Sequence, residues 1–394
     1  MRSTEIDRRR FMAWLGACAA LESAPGGSFA SGGLRAGPMG AMGHGPGRDA
    51  PPADGALFLA ARKSGGGYEA VLMDAWGADR RVLPLEGRGH SFAIDAARGR
   101  AVAFGRQPGF FAMAFDLADA GKPLSLHPAP GRHFYGHGVF TPDGARLIAT
   151  ENDYEAGRGV LGVYDATPAG AYRRLGEYPS GGTGPHEVVL MPDGDTLCVA
   201  NGGILTHPDY GKLQLNADTM ESSLAYIDMR SGALLEQHPV PKAWQRLSLR
   251  HLVVDGQGAV WFGCQYTGAA QDRPPLVGRH RRGAGLEWLE GPEEMLRGMK
   301  NYVGSLACDR HGVLIATSSP VGGKVLLWNA LTGQCEAGVD IFDGCGVAPA
   351  REEGFVVTSG QGAVYRMHAD GALDAAAILE PSGSRAWDNH LRRV

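Results

Sequence analysis

The sequence lacks the short motifs by which most hydrolases and small metal-binding modules are identified. Its 394 residues contain no Gly-x-Ser-x-Gly nucleophile elbow, no His-Glu-x-x-His helix motif and no Cys-x-x-Cys pair. It also has little of the periodicity of amphipathic helices, which is confined to a turn or two at Pro292–Met299. Function therefore has to be sought in residues that are distant in the sequence.

An excess of charge of either sign is also absent. The 38 lysines and arginines nearly balance the 42 aspartates and glutamates, and the net charge is −4. Nucleic-acid-binding proteins usually carry a clear basic excess, so we expect no nucleic-acid partner.

No apolar run approaches the ~20 residues that a transmembrane helix needs. The longest run near the N-terminus, Phe11–Leu21, has eleven residues and follows three arginines, Arg8–Arg10. Such a pattern is typical of a signal peptide, and the arginine pair before x-Phe-Met resembles the twin-arginine export signal. An ordinary secretory signal is the alternative, and Leu15–Cys18 resembles a weak lipobox that would place a lipid anchor on Cys18.

Three segments are predicted from these features. Residues 1–30 form a twin-arginine-type signal peptide, residues 31–54 a flexible tether rich in glycine, alanine and proline, and residues 55–394 the folded part. The predicted location is the periplasm, which the chain would reach already folded.

Five cysteines follow the predicted signal peptide, and their odd number leaves at least one unpaired. They are Cys198, Cys264, Cys308, Cys335 and Cys345. Several stand in apolar runs, which favours buried free thiols. A Cys335–Cys345 disulfide is the alternative that an oxidising compartment would allow.

Glycine, by contrast, is abundant: 60 residues, or about 15% against a usual ~7%. Many of these glycines belong to a repeated unit of an apolar run, a turn of the Pro-Asp-Gly kind, and two further apolar runs. Seven copies begin at His90, His137, His186, His251, Ser305, Cys345 and His390. A repeat of about 50 residues with four strands predicts an all-β fold, a seven-bladed β-propeller of four-stranded blades. A β-sandwich is the less favoured alternative.

The last copy begins only five residues before the end of the chain. Its remaining strands must therefore come from the N-terminal side, from Ala56–Ala61 and Tyr68–Asp74. Pairing between the two ends of the chain would close the ring and remove exposed sheet edges.

Five of the seven copies begin with a histidine, which predicts imidazoles on the strands nearest the propeller axis: His90, His137, His186, His251 and His390. Imidazole is a good ligand for iron, copper and zinc. However, the distance from histidine to turn varies between four and six residues, and a shift of one residue reverses a side chain. The five can converge only if bulges compensate. Otherwise they are polar strand-end residues that hydrogen-bond neighbouring blades.

The loops that should open on the same face carry further polar residues. The predicted ligand-binding set is Arg106, Glu151, Asn152, Asp153, Asn201, His207, Gln265 and Tyr266. The insertion Gly202–Ser223 is the longest and is either a lid or a functional loop.

Several segments are similar to one protein family. Gly159–Asp165, Gly184–Glu187, Ala200–Gly211, Leu215–Leu224 and Thr150–Glu155 resemble domain-of-unknown-function family 1513, which comprises exported bacterial propellers related to WD-repeat and YVTN-repeat proteins. The resemblance implies no activity. Its members resemble companions of periplasmic iron-uptake and imelysin-type proteins, which implies a partner protein of an iron-uptake system.

Two functions follow as expectations. The first is an exported accessory protein, not an enzyme, that binds a metal, a ligand or a partner and is linked to iron uptake. The second rests on a resemblance of Gly184–Glu187 and the following Pro-Asp-Gly turn to lactonase-type propellers. It is hydrolysis of a small lactone or sugar-like substrate, with His186 as base or ligand and Arg106 as oxyanion partner.

Overall fold

The computed structural model describes residues 55–106, 109–118, 121–374 and 385–394. The predicted signal peptide, the tether and Cys18 lie outside the described residues. None of the helices in the described part of the chain has the length and apolar character that a membrane-spanning segment needs.

Seven antiparallel sheets of four strands each make up the described chain, which confirms the predicted propeller. Blade 1 contains β28 (Arg385–Arg393), β1 (Leu57–Ser64), β2 (Gly67–Asp74) and β3 (Asp79–Leu85). Blade 2 contains β4 (Gly89–Asp95), β5 (Arg100–Gly105), β6 (Ala112–Asp116) and β7 (Leu124–Leu126). Blade 3 contains β8 (Arg132–Phe140), β9 (Arg146–Asp153), β10 (Arg158–Asp165) and β11 (Arg173–Pro179). Blade 4 contains β12 (Pro185–Leu190), β13 (Thr196–Asn201), β14 (Ser223–Asp228) and β15 (Leu234–Pro239).

The remaining three blades follow the same order. Blade 5 contains β16 (Leu247–Val254), β17 (Val260–Tyr266), β18 (Val277–His280) and β19 (Glu287–Trp288). Blade 6 contains β20 (Ser305–Cys308), β21 (Leu314–Ser319), β22 (Lys324–Asn329) and β23 (Cys335–Asp340). Blade 7 contains β24 (Gly344–Pro349), β25 (Phe355–Ser359), β26 (Val364–Met367) and β27 (Leu373–Asp374). Within the described residues, helix is limited to α1 (Glu293–Gly298) and to three single 3₁₀ turns at Ala96–Arg98, Pro208–Tyr210 and Lys242–Trp244.

The ring closes by pairing of the two ends of the described chain, as predicted. Strand β28 pairs antiparallel with β1, from Phe58 opposite Arg393 to Ser64 opposite Arg385. Blade 1 therefore has its innermost strand from the C-terminus and its other three from the N-terminal side. Because β28 and β1 pair with each other, the two terminal strands of the described chain do not expose their facing edges to solvent.

Glycine allows the tight turns between the first and second strands of the blades. Gly144 and Gly194 follow an aspartate in such turns and have φ of 66° and 74°, a backbone region that favours glycine. The preceding Asp143 accepts a hydrogen bond from the Ala145 N–H at 2.9 Å. These aspartates therefore form turns, as their position predicts.

Apolar side chains fill the space within and between blades. The largest core cluster contains the fully buried Trp261 and Trp328. All five cysteines of the described chain are free thiols, so the alternative of a Cys335–Cys345 disulfide is not formed. Burial raises the pKa of Cys198 and Cys264, which keeps both thiols protonated and unreactive.

Candidate functional site

Five histidine rings meet at the propeller axis. They are carried by the innermost strands of blades 1 to 5 and are His390, His90, His137, His186 and His251. Each is at most 2% exposed, and neighbouring ring centroids lie between 4.4 and 6.0 Å apart. We call these five residues the axial histidine cluster. Blades 6 and 7 contribute no histidine to it.

Bulges bring the five side chains to one side despite their uneven spacing from the turns. In β12, the pairing with β13 shifts register between Pro185 and Glu187, on either side of His186. Pairing of the innermost strand also shifts at or beside the other four histidines. A bulge adds a residue to one strand and changes the direction of its side chains. The bulges therefore compensate for the uneven number of residues between each histidine and its turn.

Two carboxylates, those of the buried Glu187 and the partly buried Asp388, orient three of the imidazoles. Glu187 Oε1 lies 3.4 Å from Nδ1 of His137, and Glu187 Oε2 lies 3.3 Å from Nδ1 of His251. Asp388 Oδ1 lies 3.0 Å from Nδ1 of His90. An ionised carboxylate only accepts hydrogen bonds, so each Nδ1 carries its proton and each Nε2 presents a lone pair. Such carboxylate–histidine pairs are the usual outer support of a protein metal site.

The electrostatic environment keeps these rings neutral. Burial and the charge of Arg106 hold the pKa of His90 and of His186 well below the ordinary value, and burial lowers the pKa of His251 to about 4. Burial opposes ionisation of Glu187, but His137 and Arg392 outweigh it and hold its pKa well below the usual range. At neutral pH the site thus combines neutral imidazoles with an ionised carboxylate, the state that metal binding requires.

Two overlapping trios have the spacing of a metal site. In the trios His90–His137–His390 and His137–His186–His251, the ligand nitrogens lie within 4.8 Å of one another. Nitrogens around a tetrahedral zinc ion lie about 3.3 Å apart, so small side-chain rotations would suffice.

The two trios differ in the state of their lone pairs. Nε2 of His90 is already occupied, since Arg106 Nη1 lies 2.6 Å and His390 Nε2 3.1 Å away. By contrast, Nε2 of His137 and Nδ1 of His186 are buried without a hydrogen-bond partner. Buried polar atoms are rarely left unpaired, and such atoms facing a histidine cluster suit a metal ion. The trio His137–His186–His251 is therefore the better candidate for iron, copper or zinc.

A cavity of about 260 Å³ borders His186 of this trio. His186, Arg106 and Gln265 line it, together with Arg250 and Tyr135. The long loop between β13 and β14 supplies a further part of the wall: Gly202, Ile204, Thr206, Lys212 and Gln214. The loop is held by Asn216, which accepts from Leu205 N–H at 2.7 Å and donates to the Gly203 carbonyl at 2.8 Å.

The other predicted ligand-binding residues lie outside this cavity wall. Asn152 is one layer behind it and donates to Nε2 of His133, which does line the cavity. Glu151 is buried inside blade 3 against Tyr164 and Arg174. These contacts make both residues part of the blade's internal hydrogen bonding.

Four further predicted residues make structural contacts. Asp153 pairs with Arg158 at 2.8 Å, and Asn201 exchanges two hydrogen bonds with Ser180. His207 begins a 3₁₀ turn by accepting from Asp209 N–H, and the Tyr266 hydroxyl donates to Asp272. Of the eight predicted ligand-binding residues, Arg106 and Gln265 line the cavity.

Sequence reasoning missed several residues at the axis, above all Glu187, Asp388 and Arg250. Glu187 directly follows His186, and Asp388 precedes His390 by two residues. A carboxylate within two residues of a repeated histidine can therefore be used to predict a residue that orients an axial imidazole. Arg250 had no such signal, because it directly precedes His251 inside an apolar strand.

A second histidine cluster lies in the outer parts of blades 4 and 5 and consists of Glu236, His238 and His280. Both nitrogens of His280 already have partners, the Tyr226 hydroxyl at 2.7 Å and the Ala284 carbonyl at 3.0 Å. Glu236 is paired with Arg282 at 2.9 Å. These contacts satisfy the cluster without a metal.

Comparison with known proteins places the chain in its family and fold. A family model described as "Protein of unknown function (DUF1513)" matches residues 83–394, and no curated protein matches. Among solved structures, a Bacteroides fragilis protein assigned provisionally as a 6-phosphogluconolactonase is 14% identical, with a TM-score of 0.55 over 88% of this chain and 100% of that one. Apo AztD from Citrobacter koseri is 11% identical, with a TM-score of 0.53 over 86% and 97%. Hydrazine synthase from Kuenenia stuttgartiensis is 15% identical, with a TM-score of 0.51 over 68% and 72%. Identities this low support the fold alone.

Proposed function

The chain belongs to the DUF1513 family, whose description assigns no function, and we propose that it is a propeller that binds a transition-metal ion at its axis. The ligands are His137, His186 and His251, and the metal is iron, copper or zinc. The observation that carries the proposal is the pair of buried, unpartnered nitrogens on His137 and His186.

The surroundings of the trio suit a metal that stays accessible. Glu187 supports two of the three ligands from behind, while His186 faces the cavity. Three protein ligands leave a fourth position for water or an exogenous ligand. A site of this kind can bind and release its ion, which an accessory or carrier protein needs.

The test is metal loading of purified protein lacking the first 54 residues. Protein stripped with a chelating resin is incubated separately with Cu²⁺, Zn²⁺ and Fe²⁺, the last without oxygen, and then desalted and analysed for metal. The expected result is one ion per chain for at least one metal. His186→Ala and His251→Ala should lose it.

Two matched variants make the test specific. His390→Ala removes an axial imidazole outside the proposed trio, and His238→Ala removes a histidine of the outer cluster. Both should retain the ion. Loss in His390→Ala with retention in His186→Ala would assign the metal to the other trio, and no retained metal in the parent protein would refute the proposal.

Export and partnership form the wider proposal. A twin-arginine-type signal in residues 1–30 would deliver the protein folded to the periplasm, where an accessory role in iron uptake would make Fe²⁺ or Fe³⁺ the relevant ion. Mutation of Arg8 and Arg9 to lysine should abolish export of the full-length chain if that route is used. An ordinary secretory route would tolerate the change.

A hydrolase remains the second candidate, because His186 and Arg106 line the same cavity. In that case His186 acts as base or metal ligand and Arg106 stabilises developing negative charge. A panel of lactones is assayed with and without divalent metal. Turnover that His186→Ala abolishes would favour the enzyme, and no turnover above buffer would exclude lactone hydrolysis.

A further inference from the structure

The cavity above the axial cluster has an unusual charge balance. Its wall contains Arg106, Arg250 and Lys212 and, among the described residues, no aspartate or glutamate. Deeply placed arginines are normally paired with carboxylates. Here neither Arg106 nor Arg250 forms an ion pair with any carboxylate in the described chain, so two guanidinium groups line the cavity without a directly bonded carboxylate.

The two nearby carboxylates, Asp388 and Glu187, already bind other side chains. Asp388 binds Arg88 at 2.5 Å and His90 at 3.0 Å. Glu187 binds Arg392 and supports two histidines. Neither acid therefore has a free oxygen to offer to the two arginines of the cavity.

The hydrogen bonding of Arg250 also indicates that the cavity lacks an acceptor for one of its donors. Arg250 donates through Nη2 to the Gln265 side chain at 2.7 Å, but its Nε is buried without a partner. Both guanidinium groups line the same cavity, so two like charges are held close together there. The two positive charges repel each other, and the Nε donor of Arg250 has no acceptor. An anion bound between the two arginines would reduce the repulsion and accept that hydrogen bond.

We propose that this cavity is a binding site for a small oxyanion of the carboxylate or phosphate class, held by the guanidinium groups of Arg106 and Arg250. Guanidinium binds the oxygens of either anion through two parallel N–H donors. The volume of about 260 Å³ lies below the range of drug-sized pockets and suits a few heavy atoms. The site does not depend on a bound metal, although an anion there lies beside His186.

The experiment uses metal-free protein, so that it is independent of the proposed metal site. Inorganic phosphate and acetate are titrated in separate arms by calorimetry at low ionic strength. The expected result is saturable binding of one anion per chain, at least tenfold weaker in Arg250→Gln. Preference for one arm identifies the class of anion.

Arg246→Gln is the matched control, because it removes the same charge from an exposed arginine paired with Asp218. It should bind the anion within about twofold of the parent. A second readout protects against misfolding: without anion, Arg250→Gln should melt at the same or a higher temperature, since it removes a charge that has no directly bonded carboxylate. Absence of saturable binding in both arms, or equal binding by Arg250→Gln, would overturn the proposal. A positive titration with no metal retained would refute the metal site alone.

Discussion

Glu187 and His251 come from different blades, yet their side chains meet at the propeller axis with Oε2 3.3 Å from Nδ1. The contact joins residues 64 positions apart and fixes which imidazole nitrogen presents its lone pair. Glu187, in the innermost strand of blade 4, thus orients imidazoles from blades 3 and 5 for metal binding.

Replacing Glu187 by glutamine should weaken metal binding. The amide cannot accept from both Nδ1–H groups as an ionised carboxylate does, so His137 and His251 lose orientation. Loss of such outer support typically costs 10–100-fold in affinity, measurable by competition with a metal-chelating dye. Asp388→Asn is the control, because Asp388 supports His90, outside the proposed trio. Equal losses in both variants would contradict the assignment of the ligands.

The stability of the metal-free protein should fall as pH drops below about 6.5. Burial holds the pKa of the axial histidines below the ordinary value, so the unfolded chain takes up protons before the folded one does. The stability they provide is complete above pH 6.5 and is lost as pH falls towards about 4, the pKa of His251.

Denaturant titrations at pH 7.5, 6.5 and 5.5 measure this effect. Each buried histidine adds up to about 1.4 kcal/mol per pH unit to the slope, so His186→Gln should lose less stability than the parent over the same interval. A flat stability curve between pH 7.5 and 5.5 would contradict the buried, neutral cluster.

Gly346, in the innermost strand of blade 7, lies directly against the closing strand β28. A Cβ at this position would lie 2.6 Å from the backbone nitrogen of Leu391 in β28. Gly346→Ala should therefore push against the closing strand and destabilise the fold by about 1–3 kcal/mol. Gly176→Ala, with nothing within 4 Å of its Cβ, is the control. Equal unfolding midpoints for the two variants would contradict this close approach.

Arg250→Gln should bind metal more tightly than the parent in buffer without oxyanions. The Arg250 charge acts on His186 and would also repel a cation bound there. The expected gain is several-fold and should shrink as phosphate is added, because the anion compensates the arginine in the parent. A variant that binds metal more weakly would show that Arg250 supports the site instead.

The fold was predictable because each repeat contains turn-forming residues that can be recognised from the local sequence. Turns at Asp143–Gly144 and Asp193–Gly194 mark the start of the second strand of their blades, and His390 near the end of the chain required closure by N-terminal strands. The site was predictable only in part. The histidines share a repeat position, but Arg250 owes its place to a bulge beside it in β16, and bulges leave no mark in hydrophobic spacing. Loop residues such as His207 do not line the cavity, because their side chains form local contacts instead. His207 accepts a hydrogen bond from Asp209 N–H within its own turn.

We propose that three imidazoles, those of His137, His186 and His251, hold a metal ion. X-ray absorption spectroscopy of the metal-loaded protein tests it most directly, because the spectrum reports the number and kind of ligand atoms. We expect three imidazole nitrogens at about 2.0–2.1 Å with one or more oxygen ligands for zinc or copper, and loss of the imidazole signal in His137→Ala. Sulfur ligation, coordination by oxygens alone, or an unchanged spectrum in His137→Ala would contradict it.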